Sequence, residues 1–324
     1  MLTYIIRRLL YSAVVLVLAS FLVFTFVTAS GDPLAGLRIS PNVSKLTVQN
    51  VIDRKHLDDP IPKRYLYWVQ DAVTNNFGTT LLDNRPILPE LWRAMKNTLQ
   101  LVLVTQLLVV IFAVLIGVYS AVRQYSFFDY TMTSFSFLGL ATPVFWLALM
   151  AQVVVVQIYE RTGHRLFPIA NLSDVNPGSG IDFWIDRAHH LVLPVLVLMV
   201  AGIAGYSRYM RAAMLEVVNS DYVRTARAKG LNERSVTMKH ALRNALIPLV
   251  TLVALDFGAI LSGAVVTETV FSLDGMGLYF VTALFANDPY PVMAFLMVTA
   301  VMIIIFNLVA DIAYGLLDPR VRYD

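Results

Sequence analysis

Six stretches of this chain are predominantly apolar over a length that matches a bilayer: residues 9–29, 99–121, 131–159, 191–209, 245–266 and 292–316. About 20 residues of helix cover the ~30 Å hydrocarbon core. Within that core the helix is the element that satisfies its own backbone N–H and C=O groups without closing a barrel. The pattern therefore predicts an all-α membrane protein with six transmembrane helices, organised as one domain over residues 1–324. Arg7 and Arg8 before the first run, and "TASG" at its end, resemble a secretory signal. That run is longer than the 7–15 residues of a signal core, so an uncleaved span is expected.

The polar intervals divide into three kinds. Residues 31–96 form a long connection punctuated by "GDP", "SPN" and "DDPIPKRY" and followed by the helix-like "KRYLYWVQDAV", which predicts a small folded cap. The interval "ETVFSLDGMGLYFVTALFANDPYPV" has turn residues at both ends of an apolar stretch too short to span, which fits an interfacial or re-entrant helix. Residues 211–244 are basic, with seven Lys or Arg against three Asp or Glu.

Charge then sets an orientation. With the N-terminus inside, the cytoplasmic side holds Arg7, Arg8, Arg123, eight basic residues between 208 and 243, Arg320 and Arg322, whereas the short outer connections hold only Arg161, Arg165 and Arg187. This is the positive-inside asymmetry, and it places both termini in the cytoplasm and the 31–96 cap outside. Composition agrees with a membrane protein: 57% of residues are hydrophobic and 15% charged, against roughly 45–50% and 25% in soluble chains. The net charge of +3 is not gathered into an aromatic-interleaved basic patch, so no nucleic-acid partner is expected.

Several chemistries have no residues to carry them. Without cysteine there is no disulfide framework, thiol nucleophile or cysteine-type zinc site. None of the six lysines follows a glycine, so the phosphate-cradling G-x-x-x-x-G-K-[ST] loop is missing and no ATP site is expected in this chain. There is no G-x-S-x-G and no H-E-x-x-H, and hence no catalytic residue to name. His189 and His190 are adjacent and point different ways on a helix, so a shared metal is not expected.

Polar groups inside the spans are candidates for a path. Asp256 lies near the middle of the fifth span. It costs about 2.5–3.5 kcal/mol on insertion scales, which the surrounding Leu, Ile, Val and Phe side chains offset by roughly 4–7 kcal/mol. Such a carboxylate either faces a watery cavity, where it could meet a cationic group on a substrate, or is hydrogen-bonded between helices for packing alone. Glu268 and Asp311, nearer the span ends, are expected to be solvated. Ala201 with Gly205, and Gly258 with Ser262, have the spacing of close helix approach.

The stretch "DYVRTARAKG" in the basic loop carries helix punctuation as well as charge. Asp221 is placed to cap a short helix, Gly230 to follow its end, and Asn232 with Glu233 to start another. A helix of about nine residues is marginal alone in water and needs a surface to dock on. Ala226 and Ala228 would allow close approach to a groove.

This loop resembles the cytoplasmic loop of permease subunits in ATP-binding cassette importers. Of that loop's Glu-Ala-Ala pattern, aligned on Gly230, the positions Arg224, Thr225 and Ala226 keep only the last Ala; His240 stands at the Ile position, and Leu242 with Arg243 at Leu-Pro. "DYVRTARAKGL", "HALRNALIP", "YIIRRLL", "GLATPVFWLAL", "GAVVTETVF" and "DPRVRY" are together similar to the oligopeptide/dipeptide permease family, in its B-type subunit. The resemblance implies a subunit in the cytoplasmic membrane of a prokaryote that pairs with a second permease, two cytoplasmic ATPases binding ATP and Mg, and an extracytoplasmic peptide-binding protein. It implies that Asp221, Arg224, Thr225, Ala226, Ala228 and Gly230 form the coupling element, and that the outer connection with Phe271, Asp274 and Tyr290 meets the binding protein. The intramembrane carboxylate of Asp256 is the candidate to line the peptide path; relatives carry nickel complexes and glutathione as well. A rival reading is a secondary transporter or channel driven by an ion gradient through Asp256 or Asp311, although the sequence shows no duplicated halves.

Overall fold

The computed structural model describes residues 2–35, 38 and 44–317, with the side chains of 2–4, 257–263 and 313–317 left aside. "SPN", "DPRVRY" with Arg320 and Arg322, and the side chains of Gly258 and Ser262 lie outside the described residues. The described secondary structure is helical apart from one antiparallel bridge, Thr79 to Pro86. Six helices are long and apolar enough to cross a membrane: Ile5–Ala29, Ile87–Val122, Val144–Thr162, Ile181–Val218, Glu233–Asp256 and Pro289–Ile312. The chain is a multi-pass membrane protein.

The described residues divide into two compact units, those up to 98 with 274–305, and 99–273 with 306–317. In the first, α1 (Leu2–Ala29) packs against the cap, built from α2 (Lys45–Lys55) and α3 (Ile61–Thr74). Phe24, Trp68 and Met293 are buried together, with Tyr65, Phe77 and Met297 around them. Ser20 Oγ and Tyr65 OH lie 2.7 Å apart, tying span to cap. A second cluster, Leu34, Val51 and Leu81, closes the cap's far side. The short helix α12 (Met276–Phe285) occupies the interval between the last two spans. Asp288 follows it, accepting hydrogen bonds from Leu81 N (2.6 Å) and Tyr290 N (3.1 Å), while burial pushes its carboxyl above the usual range.

In the second unit, the expected single span over 131–159 is two helices, α5 (Phe127–Ala141) and α6 (Val144–Thr162). Pro143 separates them, because proline lacks the amide donor and forces the preceding residue, Thr142, into extended backbone (ψ 123°). The helices α4 (Ile87–Val122) and α7 (Ile181–Val218) have 36 and 38 residues. Such lengths, about 54 and 57 Å, carry them well past a ~30 Å hydrocarbon layer.

Among the described residues, close helix crossings fall on Gly117 and Gly202 and not on Gly205. A Cβ on Gly117 would sit 2.7 Å from both Met210 Cβ and Ser207 O, and one on Gly202 would sit 2.9 Å from Val109. At Gly205 nothing lies within 4 Å, so the Ala201 and Gly205 pair is not a close approach. Gly117→Ala is expected to destabilise the detergent-solubilised protein by about 1–3 kcal/mol through overpacking, whereas Gly205→Ala leaves its melting temperature unchanged or raised. Equal thermal melting of the two variants would contradict this assignment.

Candidate functional site

Helix α7 hands over to the basic loop through Asn219 and Ser220. The next helix, α8 (Asp221–Ala228), has Ser220 at its N-cap position, one residue earlier than expected, and that hydroxyl donates to Val217 O (2.6 Å) instead of capping α8. Asp221 is consequently the first helical residue, where its charge favours the exposed amides of the helix start. Arg224 lies 3.8 Å from Asp221 with both side chains exposed, and Thr225 Oγ1 donates to Asp221 O (2.8 Å).

The end of α8 is closed as a Schellman motif: Gly230 N donates to Arg227 O (2.9 Å) and Leu231 N to Ala226 O (3.4 Å), with Gly230 at φ +76°. Glycine supplies that left-handed residue without Cβ strain. Arg227 Nε reaches across the turn to Glu233 Oε1 (2.8 Å). Asn232 accepts from Arg234 N (2.7 Å) and starts α9 (Glu233–Ser235). A π-helical turn, Val236–Ala241, joins α9 to α10 (Leu242–Gly263), the fifth span. The second helix of the loop and the span thus form one helical run.

Burial sorts the α8 residues. Val223 and Ala226 face inward, while Arg224, Thr225, Ala228 and Tyr222 are exposed. Ala226, read from sequence as a surface for a partner, instead seats the helix on its own chain. The exposed face carries Tyr222, Arg224, Thr225 and Ala228, with Leu231 beyond the turn.

The polar cluster of the spans involves three helices. Gln106 Nε2 donates to Tyr206 OH (3.1 Å), and Tyr206 OH donates to Asp256 Oδ2 (2.9 Å). Thr105, Gln106, Gly205, Tyr206 and Asp256 line a cavity of about 440 Å³. Asp256 is therefore hydrogen-bonded between helices and also borders a cavity. Glu268, expected to be solvated, is buried in α11 (Val265–Val270).

The three outer candidates differ. The Phe271 ring is buried, and its carbonyl accepts from Asn171 N (2.9 Å). Tyr290 is partly buried, with the Lys55 ammonium 4.5 Å over its ring. Asp274 is the exposed one, 3.9 Å from Arg93 Nη2.

Sequence reading missed an ion pair. Asp129 and Arg211 are joined by two bonds, Nε to Oδ1 at 2.7 Å and Nη2 to Oδ2 at 2.8 Å, and the Asp129 side chain is almost wholly buried. Tyr125 N also donates to Asp129 Oδ2 (3.0 Å), and Ser126 Oγ accepts from Asp129 N (3.2 Å). The legible signal was the capping-box spacing of Ser126 and Asp129; its cationic partner on α7 was not legible.

Six membrane-crossing helices, a capped basic loop and a half-buried carboxylate on a cavity fit a transport subunit. Residues 113–323 match the family described as binding-protein-dependent transport system inner membrane component, and residues 1–105 its N-terminal part. The chain belongs to this family. It is 39% identical over 325 residues to the oligopeptide transport system permease protein AppB of Bacillus subtilis (strain 168), with 100% of both chains covered. It is 38% identical to OppB, the oligopeptide transport system permease protein of Mycobacterium bovis, with 98% of both covered. To the dipeptide transport system permease protein DppB of Escherichia coli (strain K12) it is 33% identical, covering 100% of this chain and 99% of that one.

Arg211→Ala strands the Asp129 carboxylate. Its stability in detergent is expected to fall by on the order of 3 kcal/mol, more than in Asp129→Asn, which removes the buried charge. Comparable melting of the two variants would contradict the buried-charge account.

Proposed function

We propose that this chain is a permease subunit of an ATP-driven importer, forming with a second, homologous permease the path by which oligopeptides or dipeptides cross the cytoplasmic membrane of a prokaryote. The observation that carries this reading is likeness along the whole chain to relatives named as oligopeptide and dipeptide permeases. The termini and the α8 loop face the cytoplasm, the cap faces outward, and separate ATPase subunits bind ATP and Mg. An extracytoplasmic binding protein delivers the peptide, with Asp274 on the surface it meets.

The α8 loop is the coupling element in this reading. Its exposed face docks on an ATPase subunit, while Val223 and Ala226 hold the helix to the permease. Closure of the ATPase pair biases the spans between outward-facing and inward-facing states by binding one state better than the other. Ala228→Glu places a charge on the docking face without touching the inward face. Peptide-stimulated ATP hydrolysis in the reconstituted complex is expected to fall about tenfold or more, equivalent to ~1.4 kcal/mol of coupling. Hydrolysis and ATPase assembly both at the unmodified level overturn the assignment, and transport by the isolated chain in liposomes without any ATPase overturns the whole reading.

Asp256, held by Tyr206 on the cavity, offers its other carboxylate oxygen to a peptide amine. Asp256→Asn retains an acceptor for Tyr206 but loses the charge. Uptake of free-amine peptides is expected to fall towards that of N-acetylated peptides. Undiminished discrimination between the two would count against this role.

A further inference from the structure

The connection between α6 and α8's preceding span, residues 163–180, is anchored in its own unit by Gln152, whose Nε2 donates to Ile169 O (2.8 Å) and Val270 O (3.1 Å). Beyond that anchor the chain brings Asp174 beside the first turns of α7. There Asp174, Asp186 and His190 can each place one ligating atom within 4.8 Å of the others. His190 is buried, its side chain only 2% exposed, whereas Asp174 is exposed and gives access from solvent.

The imidazole fixes its own tautomer. Nδ1 lies 2.9 Å from the Asp186 carbonyl oxygen, which can only accept, so Nδ1 carries a hydrogen and donates it. In the neutral ring Nε2 is then a lone pair, and it faces the Asp174 carboxylate at 3.6 Å. The buried imidazole lone pair and the solvent-open carboxylate are two acceptors that a cation would join. Asp186 Oδ1 lies a further 3.3 Å from Nδ1, and Asp186 Oδ2 accepts from Asp174 N (3.1 Å), which holds the loop over the helix. Arg165 Nη1, 3.8 Å from Asp174 with both side chains more than half exposed, supplies only weak screening.

The geometry points to a divalent transition-metal site made by Asp174, Asp186 and His190. With Zn–N and Zn–O bonds of about 2.0–2.2 Å, neighbouring ligands of a tetrahedral ion stand roughly 3.4 Å apart, close to the observed 3.6 Å between His190 Nε2 and Asp174 Oδ1. The Nδ1–H bond to a backbone carbonyl is the support that metal-bound imidazoles commonly have. One imidazole with two carboxylates favours zinc and similar first-row ions over magnesium or calcium, which take all-oxygen sets. Three protein ligands leave a position for water. The ion would pin the 163–180 connection to α7 without involving Asp256 or the α8 loop, so the site stands apart from the transport reading.

The test is zinc binding by the full chain, purified in nanodiscs, chelated and then titrated with zinc chloride. One zinc per chain is expected, with an X-ray absorption spectrum of nitrogen and oxygen donors including a single imidazole, and with amide exchange around residue 174 slowed. His190→Ala is expected to abolish binding, but it opens a buried space; Asp174→Asn, on an exposed loop, is the variant that keeps the fold, and it should weaken zinc at least tenfold. Zinc bound equally by Asp174→Asn and the unmodified chain, or no stoichiometric zinc in the folded unmodified chain, overturns the site and leaves a proton as the bridging cation.

Discussion

Hydrocarbon offers no hydrogen-bond partner to a peptide group, and that constraint governs where this chain breaks its helices. Pro143 interrupts the region read as one span, and Ala264 separates α10 from α11, while Pro194 and Pro248 sit inside helices that continue past them. At the end of α11 and in the 163–180 connection, Gln152 donates to the carbonyls of Val270 and Ile169. Close packing follows the same logic, since lipid is as apolar as leucine and helices gain little by merely hiding apolar surface. Gly117 lets two backbones approach and Gly202 admits the Val109 side chain, and dispersion at short range does what burial does in water.

Three carboxylates withdrawn from solvent each have a named partner. Asp129 is held by Arg211 and two features of its own helix start, Asp288 by two backbone amides, and Asp256 by Tyr206, itself bonded to Gln106. The first two have their oxygens engaged by the surrounding protein and serve architecture. Asp256 borders open space and so keeps capacity for a visitor.

The legibility of the sequence followed the range of the interactions. Span number, the α3 helix, the short helix before the last span, Gly230 as the residue after α8 and Asn232 as a cap are all written in local periodicity or local punctuation, and they stand in the structure. What depends on a partner far along the chain did not show. Arg211 is 82 positions from Asp129, and Tyr206 is 50 from Asp256. Ala226 and Ala228 look equivalent in a string of small residues, but the 100° between successive helical positions puts one inside and the other out. The histidine pair was weighed as a pair, whereas the residues that gather near His190 come from a loop and from one turn earlier on its helix.

The π-helical turn at Val236–Ala241 has a mechanical meaning. It is not a loop: the backbone stays helical from Glu233 through Gly263, so the start of that run and Asp256 belong to a single rod. They are separated by about 35 Å along its axis. A flexible connector would absorb a displacement at Asn232 as slack. A continuous helix, even one with Pro248 inside it, would pass the displacement along its length towards Asp256 and the Tyr206 bond it makes.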